Sequence, residues 1–184
     1  KNREVEIDVI LELDDKRIRI LRKLGRKEEV KKSLFILVKK SGILDYALQL
    51  KQESSPAEWK KYFQDIIKDG ESKNKGNLLS RLYYHENNFK NAYIYSKNLH
   101  DADYLELLAK KLNRDYPELA CEVFRKLCFY FITRGSGWPY QKAGKMLGAI
   151  KKIDKNERYF KKVKEEIVNL YKKKYSLMAI IEKV

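Results

Sequence analysis

Little in this sequence interrupts a helix. Three prolines and eight glycines punctuate 184 residues, and the chain is rich in Leu, Ile, Lys, Glu and Tyr. That balance favours helix throughout one domain, with enough length for a substantial core. No apolar run reaches the roughly 18 residues of a membrane helix, and no signal peptide opens the chain. The first residue is Lys rather than Met, so a piece of a longer protein is expected. The two cysteines, Cys121 and Cys128, are seven residues apart. On one helix they lie two turns apart on the same face, too far to bridge each other. They are expected to be small buried apolar residues in a reduced, intracellular setting, cytoplasmic or nucleoid-associated.

Groups that carry chemistry are equally scarce. His85 and His100 are the only histidines, each alone at a turn and suited to capping or to the surface. The Gly135-Ser136-Gly137 stretch lacks the preceding strand and the following Lys-Ser/Thr of a phosphate loop. Asp101 and Asp103 stand at a predicted helix start, where carboxylates suit the helix dipole. No paired-acid or metal constellation appears, so neither an enzyme nor a cofactor is expected.

What is present is helical periodicity with short breaks. Residues 3–13 alternate as a strand would (Val5, Ile7, Val9, Leu11, Leu13), but Val9, Leu13, Ile20 and Leu24 also make a helical stripe. Helix is the choice, because no other segment offers a strand partner. Ile18, Leu21 and Leu24 lead to Gly25, a natural left-handed cap, and Val30, Leu34, Leu37 and Val38 share the next face. Ser41-Gly42 breaks the chain before a short helix over 43–52. Ser55-Pro56-Ala57-Glu58 signals a helix start, with Trp59, Phe63, Ile66 and Ile67 inward until Asp69-Gly70. A polar loop over 71–77 is expected next. Helices over 78–86, 89–99, 104–112, 117–133 and about 139–153 follow. Pro117 stands where a helix begins and costs no hydrogen bond. A last long helix runs from Asn156, striped by Phe160, Val163, Ile167, Leu170, Leu177 and Ile181. That makes about ten helices.

The turns at 25–30, 87–92 and 115–120 look alike, and Ala92, Ala109 and Ala120 recur among large apolar residues, as close helix packing requires. A helix pair buries its stripe only by stacking on neighbours. The expected fold is therefore all-α, with stacked antiparallel helical hairpins in a degenerate tetratricopeptide-like right-handed superhelix. Residues 1–54 have weaker repeat character.

Five stretches carry a resemblance: Asn77-Leu78-Leu79-Ser80-Arg81-Leu82-Tyr83, Phe89-Lys90-Asn91-Ala92, Tyr116-Pro117-Glu118-Leu119-Ala120, Tyr140-Gln141-Lys142-Ala143 and Tyr175-Ser176-Leu177-Met178. Over residues 55–184 the chain resembles the α-helical region C-terminal to the zinc finger in SWIM-type zinc-finger proteins. The resemblance implies a helical-repeat fold. The family's finger needs three Cys and a His and is associated with DNA or protein contacts. Cys121 and Cys128 do not have that spacing, so no metal ligand is implied for this chain.

Charge supplies the remaining signal. The net charge is +15, yet residues 121–184 alone carry 16 basic and 6 acidic residues. Lys142, Lys145, Lys151, Lys152, Lys161, Lys164 and the run Lys172-Lys173-Lys174 concentrate it within the basic part, 135–184. Lys161, Lys164 and Lys172 are expected opposite the Phe160–Leu170 stripe. Phosphate neutralisation there would give salt-dependent nucleic-acid binding, with Arg134, Trp138 and Tyr140 adding stacking. An ordinary solvated lysine face reads the same way, and lysine gives no base specificity. The expected function is a non-catalytic scaffold whose groove grips a partner protein. The alternative is a nucleic-acid-binding module working through residues 142–174.

Overall fold

The computed structural model describes the backbone of residues 2–184 and the side chains from Glu12 onward. Eleven helices, and no strand, make up the described residues. The chain forms two compact units, Lys1–His85 and Glu86–Val184. The first holds α1 (Asn2–Lys23), α2 (Lys27–Ser41), α3 (Leu44–Glu53), α4 (Pro56–Ser72) and α5 (Gly76–His85). The second holds α6 (Phe89–Ser96), α7 (Ala102–Asp115), α8 (Pro117–Thr133), α9 (Trp138–Ile153), α10 (Arg158–Tyr171) and α11 (Tyr175–Ile181).

In the first unit α2 is central and meets α1, α3 and α4. Val30, Leu34, Leu37 and Val38 are buried with Ile18, Leu21, Trp59, Ile66 and Leu82. Helix replaces the alternative strand over 3–13, but α1 turns a different face inward from the Val9–Leu13–Ile20–Leu24 stripe. Leu13, Ile20 and Leu24 are exposed, Leu24 at 62%, while the side chain of Val9 lies outside the described residues. Gly25 adopts φ 68°, and Arg26 N–H reaches back to the Leu21 carbonyl at 3.0 Å, the six-to-one bond of a left-handed helix stop. Lys31, charged yet buried, bonds Glu58 at 2.6 Å and pairs with Glu28. Glu58 also closes a capping box with Ser55 at the start of α4, and Lys31 with Ser55 holds its carboxyl down to about 2. One carboxylate thus caps α4 and ties it to α2.

The expected break at Asp69-Gly70 lies inside α4. Gly70 is there for space: a Cβ would meet the Leu79 Cδ2 at 2.5 Å. The loop over 71–77 shrinks accordingly to the few residues between Ser72 and Gly76.

In the second unit α8 buries eight residues, from Ala120 to Ile132, and packs against α7 and α9. Ala92, Ala109 and Ala120 are fully buried, as close approach demands. Asp101 caps α7 by accepting from Tyr104 N–H at 3.0 Å. Gly135 and Gly137 both take positive φ between α8 and α9. The expected last helix is two: the chain leaves helix at Lys172-Lys173-Lys174, and α11 folds back onto α9. Leu177 and Ile181 are buried as the stripe predicts, but Leu170 is exposed just before the break.

The seat for α11 is Gly144, where a Cβ would stand 2.6 Å from the Ile180 Cγ2. Gly144→Ala gains about 1 kcal/mol of helix propensity but forces overpacking that costs about 1–3 kcal/mol. The expected outcome is a lower urea midpoint and faster amide exchange across α11. Unchanged protection of α11 would show that the α9–α11 contact is loose.

Candidate functional site

Apolar residues fill three sides of α8, and the fourth is different. Glu122, Arg125, Lys126 and Phe129 follow at i, i+3, i+4 and i+7, one helical row, and all are exposed or half-buried. Flanked by α6 and α10, this row opens a groove of about 690 Å³. Buried Leu105, Val123 and Val163 form its apolar floor. Tyr93, Ser96 and Lys97 stand on the α6 side, and Tyr159, Lys162 and Glu166 on the α10 side.

Polar bonds fix both walls to α8. The Tyr93 hydroxyl donates to the Glu122 carboxylate. Lys126 Nζ donates to the carbonyls of Lys97 at 2.6 Å and Leu99 at 2.7 Å, satisfying the acceptors where α6 ends. Arg125 grips Glu166 with two bonds, at 3.1 and 2.5 Å, and its guanidinium stands 4.9 Å over the Phe129 ring. Burial, then Glu122, pushes the Tyr93 hydroxyl up to about 12. Burial also raises Tyr159, so both phenols stay neutral at pH 7. Glu166 holds Arg125 charged, whereas burial lowers Lys126. Lys97 and Lys162 are exposed, and among the described residues neither meets a carboxylate.

Burial raises Cys121 to about 11 and Cys128 to about 12, so neither thiol is a thiolate at neutral pH. His85 and His100 are exposed and outside the groove. Among the described residues no three His, Cys, Asp or Glu side chains gather as metal ligands, and no helix is long and apolar enough to cross a membrane.

The residues singled out by charge lie elsewhere in this unit. Arg134, Trp138 and Lys142 come together at a depression of about 310 Å³, shared with Asp103, Tyr130 and Phe131. Arg134 stands 4.7 Å over Tyr130, Lys142 5.4 Å over Trp138, and Trp138 meets Phe131 edge-on at 5.8 Å. Trp138 is 62% exposed, whereas Tyr140 is only 5% exposed. Tyr140 is therefore core, and the stacking role expected of it is closed off by its burial. Lys145 and Lys152 are exposed on α9 together with Trp138 and Gln141. Lys151 is exposed and donates to the Val184 carbonyl at 2.5 Å.

On α10, Lys161 is exposed and pairs with Glu157 at 3.7 Å. Lys164 is half-buried, with its Nζ 5.7 Å over the Phe160 ring. It flanks the apolar stripe, one helical turn from Phe160, and is not opposite it. Lys172 is exposed as the C-cap of α10 with right-handed helical dihedrals, on the side that Lys161 occupies, and Lys173 is exposed just beyond it. Lys174 is half-buried, 5.7 Å from the Tyr140 ring and 4.9 Å from the Tyr171 ring.

No protein-family profile, curated protein or solved structure matches this chain. Function is therefore read from geometry. The groove residues Tyr93, Glu122, Arg125, Lys126, Tyr159 and Glu166 escape a search for charge excess, because acids and bases there nearly balance. A signal was present in the sequence: Glu122, Arg125 and Lys126 interrupt a strongly apolar helix at helical spacing, which marks an uncovered face.

Lys126 secures the α6 wall. Lys126→Met leaves the terminal carbonyls of α6 without their donor, a loss of about 1–2 kcal/mol. Hydrogen exchange should accelerate in α6 while α9 keeps its protection. Equal exchange in the variant and the parent would show that solvent replaces the ammonium without cost.

Proposed function

We propose that this chain is a non-catalytic helical-repeat scaffold that grips a partner protein along the groove on α8. One observation carries the reading. The central helix of the second unit leaves a row of charged and aromatic side chains uncovered, with an apolar floor beside it and two tyrosine-bearing walls. Its size falls within the ~300–1,000 Å³ range of ligand pockets, and apolar floors beneath polar rims suit helix-in-groove or peptide recognition. In this reading the hairpins are units of a degenerate tetratricopeptide-like array, as the likeness of residues 55–184 to the helical region of SWIM-type zinc-finger proteins implies. Neutral buried thiols and the separation of the histidines from the groove favour binding over catalysis.

The test is site-specific photocross-linking in the cells that make the protein. A benzophenone side chain replaces Lys97 on the groove rim or, as a control, the exposed Lys60 on α4. The expected outcome is a discrete adduct from position 97 that position 60 does not give. Identical patterns from the two positions would refute the groove as the partner surface.

A second reading has its own observation: Trp138, Lys145 and Lys152 share an exposed face of α9, and Lys172 and Lys173 are exposed nearby in sequence. Exposed cations release counterions from phosphate, and an open indole stacks on bases. Titration with short single- and double-stranded DNA and RNA at low and moderate salt decides it. Salt-sensitive binding should fall at least tenfold when Lys145, Lys152, Lys161, Lys172 and Lys173 become Glu, with the helical circular dichroism unchanged. No binding at low salt would make this face a solvated surface.

A further inference from the structure

We infer that the α8 groove takes an acidic segment of a partner protein that presents a bulky apolar side chain; this rests on the groove being the partner-binding surface. The charges divide unevenly between committed and uncommitted. Both carboxylates are engaged, Glu122 by the Tyr93 hydroxyl and Glu166 by two bonds from Arg125. The cations on the rims, among the described residues, meet no carboxylate: Lys162 is exposed, and Lys97 stands 6.0 Å from the Tyr93 ring. Glu166 is already paired with Arg125, so a basic partner finds Glu122 alone, bonded to a neutral phenol, against the four cations Lys97, Arg125, Lys126 and Lys162 that line the groove. An acidic one finds Lys97 and Lys162 waiting on the two walls.

The floor sets the second requirement. Leu105, Val123 and Val163 are nearly inaccessible themselves, so the half-buried Phe129 ring beside them is the apolar surface that can seat one large side chain from outside. The half-buried rings of Tyr93 and Tyr159 flank it; the Tyr159 hydroxyl suits a peptide carbonyl, whereas the Tyr93 hydroxyl, already donating to Glu122, is left to accept a peptide N–H. A nucleic acid fits less well. It carries a charge on every phosphate, and those phosphates would lie against Glu122 and Glu166 as well as against the lysines. Carboxylates spaced along a peptide avoid both. The excess of basic residues over 121–184 draws an acidic segment in from a distance.

The test is selection from a random dodecapeptide display library on the full chain, followed by binding of the enriched peptides to variants. The expected result is a net-negative consensus with a recurring Leu or aromatic residue. Its affinity should fall at least tenfold in Lys97→Glu/Lys162→Glu and should change little in Lys145→Glu/Lys152→Glu, which alters the charge equally on α9. Circular dichroism keeps folding in view, since all four lysines are exposed. Neutral or basic peptides that protect α6 and α10 from hydrogen exchange would overturn the acidic partner and leave the groove standing. If no enriched peptide protects those helices, the groove and its occupant fall together.

Discussion

The second unit depends on the burial of one helix. Eight side chains of α8 go into the core, and each large one contributes about 1.5–3 kcal/mol. An exposed ion pair contributes at most about 1 kcal/mol. Apolar burial therefore decides where α8 lies, with α7 and α9 against it. The polar bonds from Tyr93, Lys126 and Arg125 act on a smaller scale and decide how α6 and α10 border its remaining face. A helix with all faces apolar would need cover on every side. The row Glu122–Arg125–Lys126–Phe129 is what lets α8 be central and still leave a groove.

Charge in this chain is easier to count than to place. Several cations counted in the basic part of the sequence are committed within the fold. Arg134, Lys142, Lys164 and Lys174 stand over aromatic rings. Their aliphatic stems pack while their charges stay near water, so each is held in place by a ring and keeps its charge. In the groove, Lys97 stands out by no feature of sequence and Lys162 only as one of the C-terminal lysines, yet among the described residues neither meets a carboxylate. Net charge does not report which cations are held by neighbours and which stand free of carboxylates.

The first unit shows a related principle at Lys31. A lysine buried without partners would carry a large desolvation cost. Here it meets Glu28 and Glu58, and Glu58 already serves as the capping residue of α4. Burying the charge is tolerable because one carboxylate answers two needs. The periodicity of α2 puts Lys31 at the edge of the buried face, three residues before Leu34, and Lys32 on the opposite side; the partner that makes a charge tolerable there comes from α4.

Local chemistry determined most helix limits. Gly25, the Ser55–Glu58 capping box, Asp101, Pro117 and the Gly135–Gly137 turn all act within a few residues, so they were legible in the sequence. The buried face was legible for α2 and for the Phe160–Ile167 part of α10, where one stripe dominates. It was not legible for α1, where two apolar stripes compete and Ile18 and Leu21 win because α2 lies on their side. Gly70 looks like a helix breaker when only its neighbours in sequence are considered, and Gly144 looks like an unremarked residue inside a helix. The structure makes them points of close approach for Leu79 and Ile180. The break after Tyr171 has the same origin: burying Leu177 and Ile181 against α9 outweighs continuing one exposed helix. The sequence alone determined which segments are helical, because capping and propensity are local. The tertiary structure alone decided which charges are committed and where the groove opens, because those depend on neighbours distant along the chain.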